Sequence, residues 1–203
     1  TIVNDILDLA TVDAGIMELT YSDVELDDLL DDVAMQIADR LNENSVMLEI
    51  VAPRSMGSIV ADQQRLKQIL IKLITNAANF APESSTITLS SWREGLNVYF
   101  SVADKGPGIP EDVLPTVFNR FSSGKGGKRS GAGLGLSIVK AIAACCACGL
   151  ASVFSSAGAI RSGVQAAPMN SGTTRVSETR LTSVTVSIRA ARRISHSVRR
   201  FMS

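Results

Sequence analysis

Apolar residues recur every three or four positions in some stretches and every second position in others, and this change of period divides the chain into elements. Ile2, Ile6, Leu9 and Ala10, joined by Val3, share one side of a helix over residues 1 to about 14, stopped near Gly15. An apolar stripe on so short a helix needs a partner. "IMELTYSDVEL" alternates in part and predicts a strand, with Asp23 or Asp27 placed to begin the helix "DDLLDDVAMQIADRL". "SVMLEIVAP" is the next strand. In "ADQQRLKQILIKLITNAANFAP", Leu66, Ile69, Leu70, Leu73, Ile74 and Ala77 fall on one helical face, and Pro82 marks the end. "STITLSSWRE" and "NVYFSVADK" alternate on either side of Gly95 and predict an antiparallel hairpin. From Gly106 to Ser130 glycine, serine and lysine dominate, with short helical potential in "PEDVLPTVFNRF". A loop of that length in a compact domain is of the kind that forms lids and binding loops. A last helix begins at about Leu134. Because strands and helices interleave through hairpins rather than a regular strand–helix repeat, the pattern predicts an α/β two-layer sandwich with a mixed sheet covered by helices.

Composition narrows the class. The 203 residues are 45% hydrophobic and 20% charged, ordinary for a globular domain, but only 4% aromatic, so the core is aliphatic. The formal net charge of zero hides two halves: residues 1–140 carry 19 acidic and 12 basic side chains, whereas 141–203 carry one acidic and eight basic. Neither a signal peptide nor a membrane span is read: the start lacks a basic region ahead of an apolar run, and the most apolar neighbourhood, 134–154, is interrupted by Lys140. The expectation is a cytoplasmic setting, with any membrane anchor of a longer parent lying outside this chain. Cys145, Cys146 and Cys148 contain one C-x-x-C spacing, but no second cysteine pair exists and His196 is the only histidine, so no metal site is expected of them.

Candidate chemistry begins at "RSGAGLGLSIVK", where Gly131, Gly133 and Gly135 crowd the entrance to a helix. Glycines there let another group approach the backbone, and a helix N-terminus favours an anion. Two common phosphate motifs fail on spacing. A Walker pattern needs a glycine where Ser122 or Asn119 stands, and a dinucleotide fingerprint needs one at Leu136. Three other polar or aromatic signals stand out: Asn76 midway along the most apolar helix, Asp104 at a strand end before "KGPGIP", and the pair Phe118 and Phe121. Each alone has an ordinary structural explanation: a core asparagine, a turn former, loop anchors.

Together they resemble the catalytic, ATP-binding domain of the sensor histidine kinases, whose GHKL or Bergerat fold is shared with Hsp90, DNA gyrase and the MutL mismatch-repair proteins. "DQQRLKQILIKLITNAANFAP" is similar to the N box, "DKGPGIP" to the first glycine box, "FNRF" to the F box and "GAGLGLSIVK" to the second glycine box, in the family's order over residues 62–140. "IVNDILDLATVDAGIMEL" is similar to the end of the second dimerisation helix, which separates histidine kinases from other branches of the fold. The resemblance implies a domain plan of dimerisation helix over 1–15, catalytic domain over 16–140 and an atypical tail over 141–203.

The resemblance further implies that Asp104 accepts a hydrogen bond from the adenine amine, with Gly106, Gly108 and Ile109 turning beside the base. Asn76 offers an oxygen to Mg²⁺. Asn79, Phe118, Phe121, Gly131, Gly133, Leu134 and Gly135 complete the ATP site. It implies phosphoryl transfer from ATP to a histidine upstream of Thr1, on a dimeric hairpin, and onward to a response regulator receiver domain. His196, among arginines in the tail, matches no such motif, and no nucleic acid is expected as a partner. Lys125, Lys128 and Arg129 are either a solvated run or electrostatic phosphate contacts.

Three departures stand against the family pattern. Lys72 replaces the first asparagine of the N box, and Asn79 replaces a basic residue that contacts phosphate, so a nucleotide-binding pseudokinase or scaffold is the alternative reading. Residues 141–203 contain no lysine and do not resemble the family's closing helix and strands. Their composition predicts a frameshifted reading of a GC-rich gene, which sequencing the coding DNA checks, or else a divergent tail in which "LTSVTVSI" forms a terminal strand.

Overall fold

The computed structural model describes residues 2–53, 55–110, 112–122, 133–145 and 182–189. Its elements run α1 (Ile2–Asp13), β1 (Ser22–Glu25), α2 (Leu26–Glu43), β2 (Met47–Val51), β3 (Ser58–Ala61), α3 (Gln63–Phe80), β4 (Thr86–Glu94), β5 (Asn97–Asp104), a 3₁₀ turn (Leu114–Thr116), α4 (Gly135–Cys145) and β6 (Thr182–Arg189). β2, β4, β5 and β6 form a four-stranded sheet in that order, with β2 parallel to β4 and the other pairs antiparallel. β1 and β3 form a separate antiparallel pair. The mixed sheet and its helical layer are the expected α/β two-layer sandwich.

The sheet owes its two faces to the period of β4 and β5. Ile87, Leu89, Val98, Phe100 and Val102 point inward and are buried, while Thr88, Ser90, Ser101 and Ala103 line the outer face. There Trp92 and Tyr99 stack across the strands, ring centroids 5.2 Å apart. Opposite the inner face, α3 lays down Leu66, Ile69, Leu70, Leu73, Ile74 and Ala77, all buried. Each fully buried aliphatic side chain in this layer stabilises the fold by about 2 kcal/mol.

α3 starts where Asp62 caps it. The Asp62 carboxylate accepts from the Arg65 N–H at 2.9 Å and, with its other oxygen, from the Thr20 N–H at 2.9 Å, tying the segment after α1 to the helix start. Asp62→Ala removes both bonds at a largely buried position; the expected loss is about 1.5 kcal/mol in urea unfolding, with the midpoint lowered and the slope unchanged. At the other end Ala81 turns extended ahead of Pro82 and stops the helix, as the sequence predicts.

Several local expectations are corrected. The strand expected over "IMELTYSDVEL" is confined to four residues, and α2 begins behind Glu25, which makes no side-chain cap; Asp23 lies in β1 and Asp27 inside the helix. β3, "SIVA", was not expected: only its last residue, Ala61, fell in the stretch read as α3, because four residues carry too little alternation to mark a strand. On α1 Leu9 of the predicted stripe is buried, whereas Val3 and Ile6 stay 66% and 53% exposed. α1 meets the rest of the domain through buried Leu9 and its packing on α4 as well as through acidic side chains that pair with α3. α4 continues to Cys145, a free cysteine, while Cys146, Cys148 and His196 lie outside the described residues.

Candidate functional site

Asp104 closes β5 with its side chain on the buried face, 7% exposed. Desolvation pushes its carboxyl above the ordinary aspartate range, and the Gly106 N–H, donating to Oδ1 at 2.7 Å, partly opposes that. One oxygen is thus fixed by backbone and the other is left to accept a hydrogen bond.

The glycines beside it serve two separate purposes. A Cβ at Gly106 would stand 2.6 Å from Asp104 Oδ1 and 3.0 Å from the carbonyl oxygen of Phe80, so the first glycine box packs directly on the last turn of α3. Gly108, at φ 81°, makes the left-handed turn that follows. Ile109 is half-buried behind it.

α3 brings Asn76 and Asn79 to the same end of the domain as Phe80. Both are half-buried, three residues apart on one face. Asn76 has no hydrogen-bond partner among the described residues. The Asn79 Oδ1 is buried and has no hydrogen-bond partner among the described residues, a costly state for an acceptor.

The two phenylalanines part company. Phe118 packs against the core; Phe121 is 72% exposed, at φ 61°. The backbone of Phe121 and Ser122 runs so close to Gly133 that a Cβ there would lie 2.8 Å from the Phe121 carbonyl carbon, so the F box and the second glycine box touch. Gly133, at φ 67°, turns the chain into α4, and buried Leu134 anchors the turn, its carbonyl accepting from the Ile138 N–H at 3.0 Å. Nothing lies within 4 Å of where a Gly135 side chain would begin. The first N–H groups of α4 have no helical partners and attract an anion there. Gly131, Lys125, Lys128 and Arg129 lie outside the described residues.

Contacts therefore link all four boxes: the first glycine box to the end of α3, the F box to Gly133, and α4 to α3 along their length. A triphosphate with its metal fits this set of donors. Among the described residues no cluster of three or more His, Cys, Asp or Glu could hold a metal ion; the side-chain oxygen of Asn76 is a neutral oxygen ligand of the kind Mg²⁺ accepts.

Sequence reasoning missed the contacts of α1. Asp5 accepts from Lys72 Nζ at 2.5 Å, and Asp8 accepts from Arg65 Nη1 at 3.0 Å and from Gln68 Nε2 at 2.5 Å. Asp13 pairs with Arg120 of the F box; the Arg120 hydrogen bond holds the Asp13 carboxyl below its usual range. The only sequence signal was the helical spacing of Arg65, Gln68 and Lys72 opposite Asp5 and Asp8 on α1.

The family described as histidine kinase-, DNA gyrase B- and HSP90-like ATPase matches residues 61–192, which includes β6. The chain is similar to the circadian input-output histidine kinase CikA of Synechococcus elongatus, at 36% identity over 68% of this chain and 19% of that protein. It is equally similar to the sensor protein DivL of Caulobacter vibrioides, 36% identical over 69% of this chain and 18% of that one. The chain thus spans less than a fifth of these curated relatives, 19% and 18% of their lengths. Full-length ShkA, solved in complex with AMPPNP, superimposes with a TM-score of 0.71 at 28% identity, over 93% of this chain and 35% of that one.

Proposed function

Because this chain belongs to the histidine kinase-, DNA gyrase B- and HSP90-like ATPase family, we propose that it is the ATP-binding catalytic region of a two-component sensor histidine kinase, donating the γ-phosphoryl of ATP to a histidine on a dimerisation hairpin outside these residues. The observation that supports the reading is the packing of Gly106, with the Asp104 carboxylate, against Phe80 at the end of α3 that carries Asn76 and Asn79, beside the packing of α4 on α3. The AMPPNP bound by the similar ShkA supports it.

Each residue then has a physical task. The free oxygen of Asp104 accepts from the adenine amine, while Gly106 holds the carboxylate in place. Gly108 and Ile109 shape the turn beside the base. Asn79 supplies the unpaired Oδ1 to a nucleotide or water donor. Asn76 would hold Mg²⁺ through its side-chain oxygen, and the bound ion would supply charge neutralisation to the phosphates. Gly133, Leu134 and Gly135 present amide N–H groups of the α4 entrance to the phosphates. Phe118, packed on the core, and exposed Phe121 belong to the F box that borders Gly133. Catalysis of this kind is positioning and charge neutralisation; no side chain in the site acts as a nucleophile.

In the parent, the segment ending in α1 belongs to a dimerising helix, and the phosphoryl group passes from histidine to the receiver domain of a response regulator. No helix among the described residues is long and apolar enough to cross a membrane. We place the domain in the cytoplasm, where ATP is supplied.

Lys72, tied to Asp5, and Asn79 favour a second reading, a nucleotide-binding pseudokinase that signals by conformation. One experiment separates the two. Calorimetry with ATP is expected to show micromolar binding, after which labelled ATP and a supplied dimerisation domain are expected to give phosphohistidine. Binding without transfer selects the pseudokinase; no binding overturns both.

A further inference from the structure

Arg65, Gln68, Lys72, Asn76 and Asn79 follow one another on α3 in steps of three and four, so their side chains make one polar stripe. Two sets of contacts divide it. The N-terminal half is held by α1: Asp8 accepts from Arg65 and Gln68, and Asp5 from Lys72. The C-terminal half, Asn76 and Asn79, belongs to the proposed nucleotide site. Lys72 stands at the border, one turn from Asn76. The side chains of Lys72 and Asp5 are both largely covered, 22% and 16% exposed.

We propose that Asp5 is a positioning residue for the magnesium–nucleotide site: it holds the Lys72 ammonium on the α1 side of the stripe, and full enhancement of ATP binding by Mg²⁺ depends on that pair. The inference rests on the nucleotide reading above. Residues four apart on a helix lie ~6 Å from each other. A lysine released from Asp5 reaches toward the same phosphate oxygens that Mg²⁺ uses, and it repels the ion. Even with water-like screening, a unit charge against a divalent ion at ~6 Å is worth about a factor of ten in affinity.

The effect has a signature that a merely structural loss lacks. Freeing Lys72 weakens binding in Mg²⁺ but favours metal-free ATP, whose extra negative charge it neutralises. Loosening α1 in general weakens both alike. Asp5→Asn leaves Asp8, buried Leu9 and the Asp13–Arg120 pair to keep α1 docked, so it removes the charge and not the contact.

The test is calorimetric titration of the full chain with ATP, once in Mg²⁺ and once in EDTA, for wild type, Asp5→Asn, Asp5→Glu, Lys72→Gln and the double variant Asp5→Asn/Lys72→Gln. The ratio of the two affinities is the quantity read. Asp5→Asn is expected to lower it about tenfold, Asp5→Glu to restore it, and Asp5→Asn to have no effect on it once Lys72 is Gln. Lys72→Gln against wild type repeats the comparison should Asp5→Asn not fold: the variant is expected to keep or raise the ratio. An unchanged ratio in Asp5→Asn, the same fall in the Lys72→Gln background, or a lower ratio in Lys72→Gln alone overturns the inference while leaving the nucleotide reading intact. Absence of ATP uptake by the wild type in both solutions overturns both.

Discussion

Asp104→Asn is expected to lower ATP affinity about hundredfold while leaving the thermal transition in place. The side chain is buried at the end of β5, and its one described hydrogen bond comes from the Gly106 N–H. An asparagine keeps the shape and can still accept that bond. In the proposed site it loses the charged acceptor for the adenine amine, and hydrogen bonds to charged groups in dry sites contribute about 1.5–3 kcal/mol. If the amide rotates to keep its oxygen on Gly106, its NH₂ group faces a donor, and the loss grows. GTP, with a carbonyl where ATP has the amine, is expected to bind weakly to the wild type and to gain relative to ATP in Asp104→Asn. Fluorescence competition with both nucleotides measures this.

The same carboxylate sets a pH dependence. Burial raises its pKa in the folded chain, so the folded state binds a proton more readily than the unfolded state does between the ordinary aspartate value and the raised one. The contribution of Asp104 to stability is therefore favourable below that window and is lost as pH rises through it. ATP binding, which uses the ionised form, runs the other way: it weakens as pH falls through the raised pKa, at a higher pH than an ordinary aspartate would give. Asp104→Asn is expected to remove this dependence from the binding curve.

Gly106→Ala is expected to destabilise the domain by about 3 kcal/mol and to abolish measurable nucleotide binding. The new Cβ would sit 2.6 Å from Asp104 Oδ1 and 3.0 Å from the Phe80 carbonyl oxygen. Backbone that close does not yield without displacing either β5 or the end of α3, and overpacking of this kind costs about 1–3 kcal/mol. The displaced carboxylate also loses its Gly106 partner while staying buried, which costs about 1–3 kcal/mol more. Gly135→Ala is the matched control: nothing lies within 4 Å of its Cβ, so stability is expected to change by less than about 1 kcal/mol. Urea unfolding of the two variants side by side reads the contrast.

The parts of the fold that were legible in the sequence are those where a long run repeats one period. α3 shows its buried face at 66, 69, 70, 73, 74 and 77, and the β4–β5 hairpin alternates over nearly its whole length, so both were placed nearly to the residue. β3 was not, because four residues next to a helix start carry no period of their own. The site was legible as four separate motifs, yet the reason for Gly106 was not. Its φ is ordinary, and what excludes a side chain is the carbonyl of Phe80, twenty-six residues earlier. The docking of α1 was hidden for a similar reason. An apolar stripe points to a hydrophobic partner, which Leu9 and the packing of α1 on α4 supply in part, but Asp5, Asp8 and Asp13 also hold α1, through partners on α3 and in the F box that no local pattern announces. β6 pairs with β5 along its whole length, in the segment "LTSVTVSI" that the alternation allowed as a terminal strand.

The central claim is that Asn76 and Asn79, Asp104 with Gly106, and the Gly133–Gly135 turn surround a single magnesium-nucleotide. An NMR titration of ¹⁵N-labelled chain with AMPPNP and Mg²⁺ tests it most directly. The backbone amides of all three elements are expected to shift together along one binding curve, with the outer-face residues Trp92 and Tyr99 unmoved. No shifts, or shifts confined to one element while the other two stay still, would contradict it.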